Sequence, residues 1–316
     1  MQDIIPPVSR ELIRAELTED KFLRNTSKLN NQLYLVNYHN APNVTREVGR
    51  LRELAFRTAG GGTGKEIDLD AYDTSDKPFQ QLVLWDPEDQ EIIAGYRLIM
   101  CKNAPRLEDG RIESATAKLF DLSEKFYQNY LPNTVELGRS FVQPKYQRGA
   151  SRKGLFSMDN LWDGLGAVLV LNPDLKYMFG KVTMYPNYDK EARNLLLSFL
   201  RFFFPDPEEL ARPKVEYIQP EELAPFMQDW AGKTFKEAYP QLNRRIRERG
   251  ENIPPLINTY MNISSTMKTF GTALNESFGT VEETGILVTV DDIFESRKSR
   301  HIDTYHEYNN FKGPIG

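Results

Sequence analysis

Between Val135 and Leu171 the chain reads VELGRSFVQPKYQRGASRKGLFSMDNLWDGLGAVLVL: a strand, a basic loop with glycines, and a helix in immediate succession. The helix is predicted from Met158, Leu161, Trp162, Leu165, Val168 and Leu169, which recur at intervals of three and four as one apolar face. A strand that feeds such a loop and then a helix start can hold a phosphate. The first helical amides have no partner within the helix, and the helix dipole favours negative charge there. Lys145, Arg148, Arg152 and Lys153 place cations around Gly149 and Gly154. The loop matches neither G-x-x-x-x-G-K-[ST] nor G-x-G-x-x-G. The pattern therefore leaves two readings open, a phosphate site and a solvated basic loop.

With 316 residues the chain is long enough for a substantial core, in one large domain or two small ones. Its 40% hydrophobic and 27% charged residues fit a soluble globular protein. A net charge of −5 argues against a generally nucleic-acid-binding surface, so any basic patch is local. Cys101 is the single cysteine, so no intramolecular disulfide forms and a reducing compartment is expected. MQDIIPPVSRELIR does not read as a signal peptide, and the longest apolar stretch, 195–204, is too short to span a bilayer. The expectation is a cytoplasmic protein, with peripheral membrane contact left open.

Residues 1–30 read as an N-terminal helical extension with Ser9 as a helix cap, and QLYLVNY (32–38) as the first strand. Asn43 is the expected cap of a helix whose buried stripe is Val44, Val48, Leu51 and Ala55, with Arg46, Glu47, Arg50 and Glu53 in water. A glycine-rich loop and the acidic segment EIDLDAYD (66–73) follow. QQLVLWD (80–86) and IIAGYRLIM (92–100) form a predicted hairpin. Beyond the central unit come a strand at 177–184 and an amphipathic helix over 187–204. A proline-rich, charged insertion covers about 205–255 and carries the basic segment NRRIRERG (243–250). A last strand is predicted over 284–293, and 296–316 reads as a polar tail.

ELGRSFVQPKYQRG resembles the central strand and pyrophosphate loop of the GNAT acyltransferases. More narrowly it resembles their N-acyl amino acid branch, the ornithine-lipid and glycine-lipid N-acyltransferases, also filed as haemolysins. Glu136, Arg139 and Phe141, with Ser140 between, resemble the Glu-x-x-Arg-Phe core of acyl-homoserine-lactone synthases. LRELAFR, the acidic D-x-Y-D ending, GYRLI, FGKVTM and the block from IPPLINTYM to GILVTVDD occur in the order of the lipid-forming branch, so the resemblance spans most of 44–293. It implies an α/β GNAT-like fold over 31–295, a mixed twisted sheet flanked by helices. The implied activity is transfer of a fatty acyl group, with or without a 3-hydroxyl, from an acyl-carrier-protein or coenzyme A thioester to the amine of a small amino acid of the glycine or ornithine type. No cofactor beyond that substrate is implied. The loop departs from the His-Pro-Asp-Tyr-Arg type of the relatives, so phosphate contacts carry over only to Arg148 and Gly149.

Amide formation from a thioester needs a deprotonated amine, a positioned thioester, stabilisation of charge at the carbonyl, and recognition of the acceptor. In a GNAT-like site the pantetheine arm lies along two splayed strands, here VELGRSFV and YMFGKVTM, with a backbone N–H for the oxyanion. Phe141, Val142, Arg148, Gly149, Arg152 and Lys153 form the expected donor-binding set. Glu136 is the candidate general base, the alternative being a salt-bridged strand carboxylate. Arg139, three positions on, faces the other side of a regular strand unless a bulge intervenes. It then binds an acceptor carboxylate or builds the site through an Asp. Arg57, Asp70, Asp73 and Arg97 form the expected acceptor-binding set, with structural ion pairs as the alternative. An acidic carrier protein would dock on the basic loop, and 243–250 offers a second basic surface for carrier or lipid. No nucleophile motif occurs. His39, His301 and His306 lack metal-ligand spacing, so no metal is expected. A silent acyl-thioester or membrane-surface binding module is the alternative from another functional class, and a lactone synthase is disfavoured by the long C-terminal block.

Overall fold

The computed structural model describes residues 1–147, 149 and 153–306. In chain order the strands are β1 (Phe22–Asn25), β2 (Gln32–Val36), β3 (Gln80–Asp86), β4 (Glu91–Met100), β5 (Phe120–Leu122), β6 (Thr134–Val142), β7 (Tyr177–Met184), β8 (Ala211–Pro213), β9 (Lys268–Asn275) and β10 (Val281–Thr289). The helices are α1 (Arg10–Glu16), α2 (Pro42–Thr58), α3 (Ala71–Thr74), α4 (Ser157–Leu171), α5 (Lys190–Phe203), α6 (Pro220–Met227), α7 (Phe235–Glu248), α8 (Pro255–Met261) and α9 (Glu295–Lys298). They fall into two compact units, one built from 1–114, 135–175 and 294 onward, the other from 115–134 and 176–293.

The first unit holds an antiparallel sheet in the order β1-β2-β3-β4-β6. Residues paired directly across strands share a face, and successive residues alternate faces. Gln81 lies opposite Arg97, and Ile99 opposite Glu136. These side chains therefore occupy one face, toward which Arg52 of α2 reaches. Leu82 and its row belong to the other face, covered by α4, where an added Cβ on Gly164 would lie 2.8 Å from Leu82 and 3.0 Å from Leu33.

Three expectations for this unit are corrected. The N-terminal extension is not helical throughout, because Phe22–Asn25 joins the sheet as β1. Asn43 does not cap α2. The helix begins at Pro42, and Glu16 of α1 accepts from the backbone N–H groups of Asn43 (3.1 Å) and Val44 (2.9 Å). A carboxylate at these orphan amides satisfies both donors and the dipole. Glu16→Ala should cost about 1 kcal/mol, measured as a lower urea midpoint; an unchanged midpoint would mean that water caps the helix as well. Glu47 and Glu53 are buried rather than solvated. Glu47 accepts from the Val8 amide, and Glu53 from Thr63, Gly64 and Arg57.

Nor does the chain trail off after Ile293. Residues 295–303 are helical, and His301 and Tyr305 are buried. His301 Nδ1 lies 2.7 Å from Asp163 Oδ1 on α4, and an added Cβ on Gly166 would lie 2.0 Å from the His301 carbonyl oxygen. Only glycine permits that approach. This segment explains why α4 buries Asn160 and Asp163 along with its apolar stripe.

In the second unit β10 pairs with both β7 and β9, and β5 pairs with β8, all antiparallel. α5 is capped by Asp189 and buries Leu195, Leu196, Phe199 and Leu200. Segment 205–255 contributes to the core of this unit rather than hanging outside it. Trp230 is fully buried, donates to Ser198 Oγ at 3.0 Å and meets Phe199 edge-on, while Leu242 and Ile246 of α7 are also fully buried. Among the described residues no helix is long and apolar enough to cross a membrane.

Candidate active site

The site grows out of an irregularity in β6. Gly138 lies opposite Arg97 and Phe141 opposite Gly95, so three steps along β6 match two along β4. The extra residue is a bulge, and Arg139 occupies it in the left-handed region at φ +49°. A non-glycine residue held there stores backbone strain, which the surroundings must stabilise. They do so through charge: Arg139 Nε lies 2.9 Å from Asp68 Oδ2, and its Nη2 lies 3.9 Å from Asp70. The bulge thus turns Arg139 toward the face that already carries Glu136, which a regular strand would forbid.

Two further arginines complete a buried lattice. Arg52 Nε meets Asp68 at 3.1 Å, its Nη2 meets Asp73 at 2.9 Å, and its Nη1 reaches Gln81 at 3.4 Å. Arg97 Nη1 reaches Asp70 at 2.7 Å and Asp73 at 3.0 Å. Asp70 and Asp73 close a capping box over α3, which fixes the acidic turn itself. Three guanidinium groups therefore face three carboxylates. Burial would raise Asp68, but Arg139 and Arg52 outweigh it and hold the carboxyl below its usual range. Burial likewise opposes the lowering of Asp73, which Arg52 and Arg97 enforce. Tyr72 and Phe79 flank the guanidinium of Arg97 at 5.5 and 5.3 Å. Burial, then the carboxylates of Glu113, Asp70 and Glu136, push the Tyr72 phenol up to about 12.

Glu136 adds a fourth carboxylate on this face and is 2% exposed. Its field and burial together raise the buried Cys101 thiol, with burial the larger cause, so that thiol is no nucleophile. Of the expected acceptor set, Asp70 alone presents an appreciable carboxylate surface, 32% of its side chain, while Asp73 is enclosed and Arg97 nearly so. Arg57 stands apart. It binds Glu53 at 2.7 Å and the Gln2 and Lys65 carbonyls, which close the glycine-rich loop. Arg52 is the member the sequence reading missed.

The donor set is less concentrated. Phe141 is buried with its ring against Gly95, Val142 is half-buried, and Gly149 has φ +95° in open space. Arg148 and Arg152 lie outside the described residues. Two loop cations expected to be available are paired with the β3–β4 hairpin: Lys145 binds Glu91 at 3.0 Å, and Lys153 binds Asp86 at 2.7 Å and Glu88 and Asp89 at 3.1 Å. Lys153 thereby offsets part of the charge of the acidic cluster at 86–89.

The acetyltransferase (GNAT) domain matches residues 51–157. Over 312 residues, 97% of this chain and 91% of the relative, the chain is 53% identical to the glycine N(alpha)-acyltransferase of Bacteroides thetaiotaomicron. Over 307 residues, 96% and 94% of the two chains, it is 49% identical to the glycine N(alpha)-acyltransferase of Phocaeicola vulgatus. Among solved structures, the CoA-dependent acyl-homoserine lactone synthase BjaI with SAM and isopentyl-CoA is similar at a TM-score of 0.38 and 14% identity, over 88% of this chain and 89% of that one. The lactone synthase LasI matches at 0.31 and 13%, over 48% and 71%. The domain match and the two long relatives define an amide-forming acyltransferase on a GNAT scaffold. Within that class the chain belongs to the family of the glycine N(alpha)-acyltransferases.

Proposed function

We propose that the chain transfers a fatty acyl group, 3-hydroxylated and carried as an acyl-carrier-protein thioester, to the amine of glycine, forming a lyso amino-acid lipid. The observation that carries this reading is the 53% identity, over nearly the whole chain, to a glycine N(alpha)-acyltransferase. Asp70 suits the acceptor ammonium and Arg139 its carboxylate, since both reach the surface of the lattice. Glu136 takes a proton from the ammonium, directly or through a water. The freed amine attacks the thioester carbonyl, and a backbone amide released from the ladder by the bulge at Arg139 stabilises the oxyanion. The attack forms the C–N bond, and collapse of the tetrahedral intermediate breaks C–S. The thiolate leaves with one proton of the amine, and the proton held by Glu136 passes to solvent. An acyl-carrier donor would dock on the basic loop, and the amphiphilic product favours work at the inner membrane face.

The test is lipid mass spectrometry of cells producing the chain, beside thiol release from purified wild type and Glu136→Gln. A new N-acylglycine, with turnover lowered about 100- to 10,000-fold in the variant, is expected. A different acceptor in the product would replace glycine in this reading. Unchanged lipids from folded protein would leave an acyl-thioester binding module instead, and full turnover in Glu136→Gln would remove Glu136 as the base.

A further inference from the structure

A cavity of about 710 Å³ opens in the first unit at the ends of β3 and β4. Leu98 lies opposite Gln80 and Met100 opposite Val135, a row on the α4 face, and Ile99 of the alternate row also lines the opening. None of the lattice residues Arg52, Asp68, Asp70, Asp73, Arg97, Glu136 and Arg139 lines it. Its size is that of a site for a small organic ligand.

The lining has three chemical parts. Leu35 and Met100 supply an apolar floor, backed by the fully buried Leu98. Lys77, Lys102 and Arg106 stand at the rim and, among the described residues, make no ion pair; no carboxylate lines the cavity. Gln80 and Asn172 add amide groups between floor and rim. Three exposed cations with no ion pair among the described residues, the Arg106 guanidinium donating only to the Gly110 carbonyl at 3.3 Å, favour an anion, and the floor favours a hydrocarbon chain attached to it.

We propose that this cavity binds a carboxylate-headed amphiphile, its chain on Leu35 and Met100 and its carboxylate on Lys102 and Arg106. Two ligands share that chemistry, a fatty carboxylate and its glycine amide; the second rests on the proposed function and would use Gln80 and Asn172 for the amide. Binding does not require turnover, so the proposal can fail while the acyltransferase reading stands, and the reverse.

The experiment is titration calorimetry of the full chain with laurate, N-lauroylglycine and neutral N-lauroylglycinamide, below their aggregation concentrations. Wild type should bind a carboxylate-headed ligand saturably, and the glycinamide about tenfold more weakly or worse. The exposed double variant Lys102→Glu/Arg106→Glu should lose about the same factor for the carboxylates while keeping its circular dichroism and its affinity for the glycinamide. Tighter binding of N-lauroylglycine than of laurate identifies the glycine amide as the ligand, and equal binding identifies the fatty carboxylate. Absence of saturable binding, or carboxylate affinity untouched by the double variant, overturns the proposal.

Discussion

Arg52→Met should lower the stability of the first unit by about 3–5 kcal/mol, because it leaves Asp68 and Asp73 buried without their shared cation. Both carboxylates and Arg52 are fully enclosed, so water cannot take over. Methionine fills most of the volume, so the loss reports charge rather than a cavity. The readout is the urea midpoint, with the slope unchanged. Adding Asp68→Asn to Arg52→Met should recover part of the loss: Arg139 and Arg97 remain against three carboxylates, and a neutral amide removes the excess buried charge. A midpoint within error of wild type for Arg52→Met would show that the lattice contributes nothing net to stability.

The same lattice sets how the protein responds to acid. Asp68 and Asp73 are held low by arginines against the opposing effect of burial, and Asp163 by His301 and the Ser27 amide. Their folded values lie below their unfolded ones, so between the two the unfolded chain binds more protons. The stabilisation is therefore complete above the ordinary carboxylate range, near about pH 4, and is lost as pH falls toward the depressed values. Urea midpoints should be flat from pH 7 to pH 5 as far as these groups decide them, and fall steeply below pH 4. In Arg52→Met the fall should be smaller, because Asp68 and Asp73 are no longer held as low. An equal fall in both proteins would place the acid-sensitive groups elsewhere.

Arg52 and Arg139 also mark the limits of reading this chain as a sequence. β3 and β4 were legible because their apolar runs are bounded by turn residues, and β6 and β7 through the motifs ELGRSFV and FGKVTM that they carry. Glu136 and the acidic turn at Asp70 and Asp73 were legible as chemistry on those elements. A helical stripe, however, names only one buried face. α2 has three, since residues 1–8 and 59–66 cover Glu47 and Glu53 while the acidic turn covers Arg52. Arg57 was singled out in its place because it lies in the same motif, five residues on and one face away. The bulge at Arg139 leaves no mark in composition, for a positive φ is expected at glycine and Gly138 stands next to it. β9 escaped for a related reason: Gly271 sits at φ +89° where its register with β10 slips.

The first unit draws on three separated stretches of chain, the last of them 294–306, whose backbone fills the space left by Gly166 on α4. The second unit needs nothing after Ile293. During synthesis the unit that begins first therefore finishes last. Its central helix stays uncovered on one side until residues 294–306 have left the ribosome, and chaperones have longer access to that side.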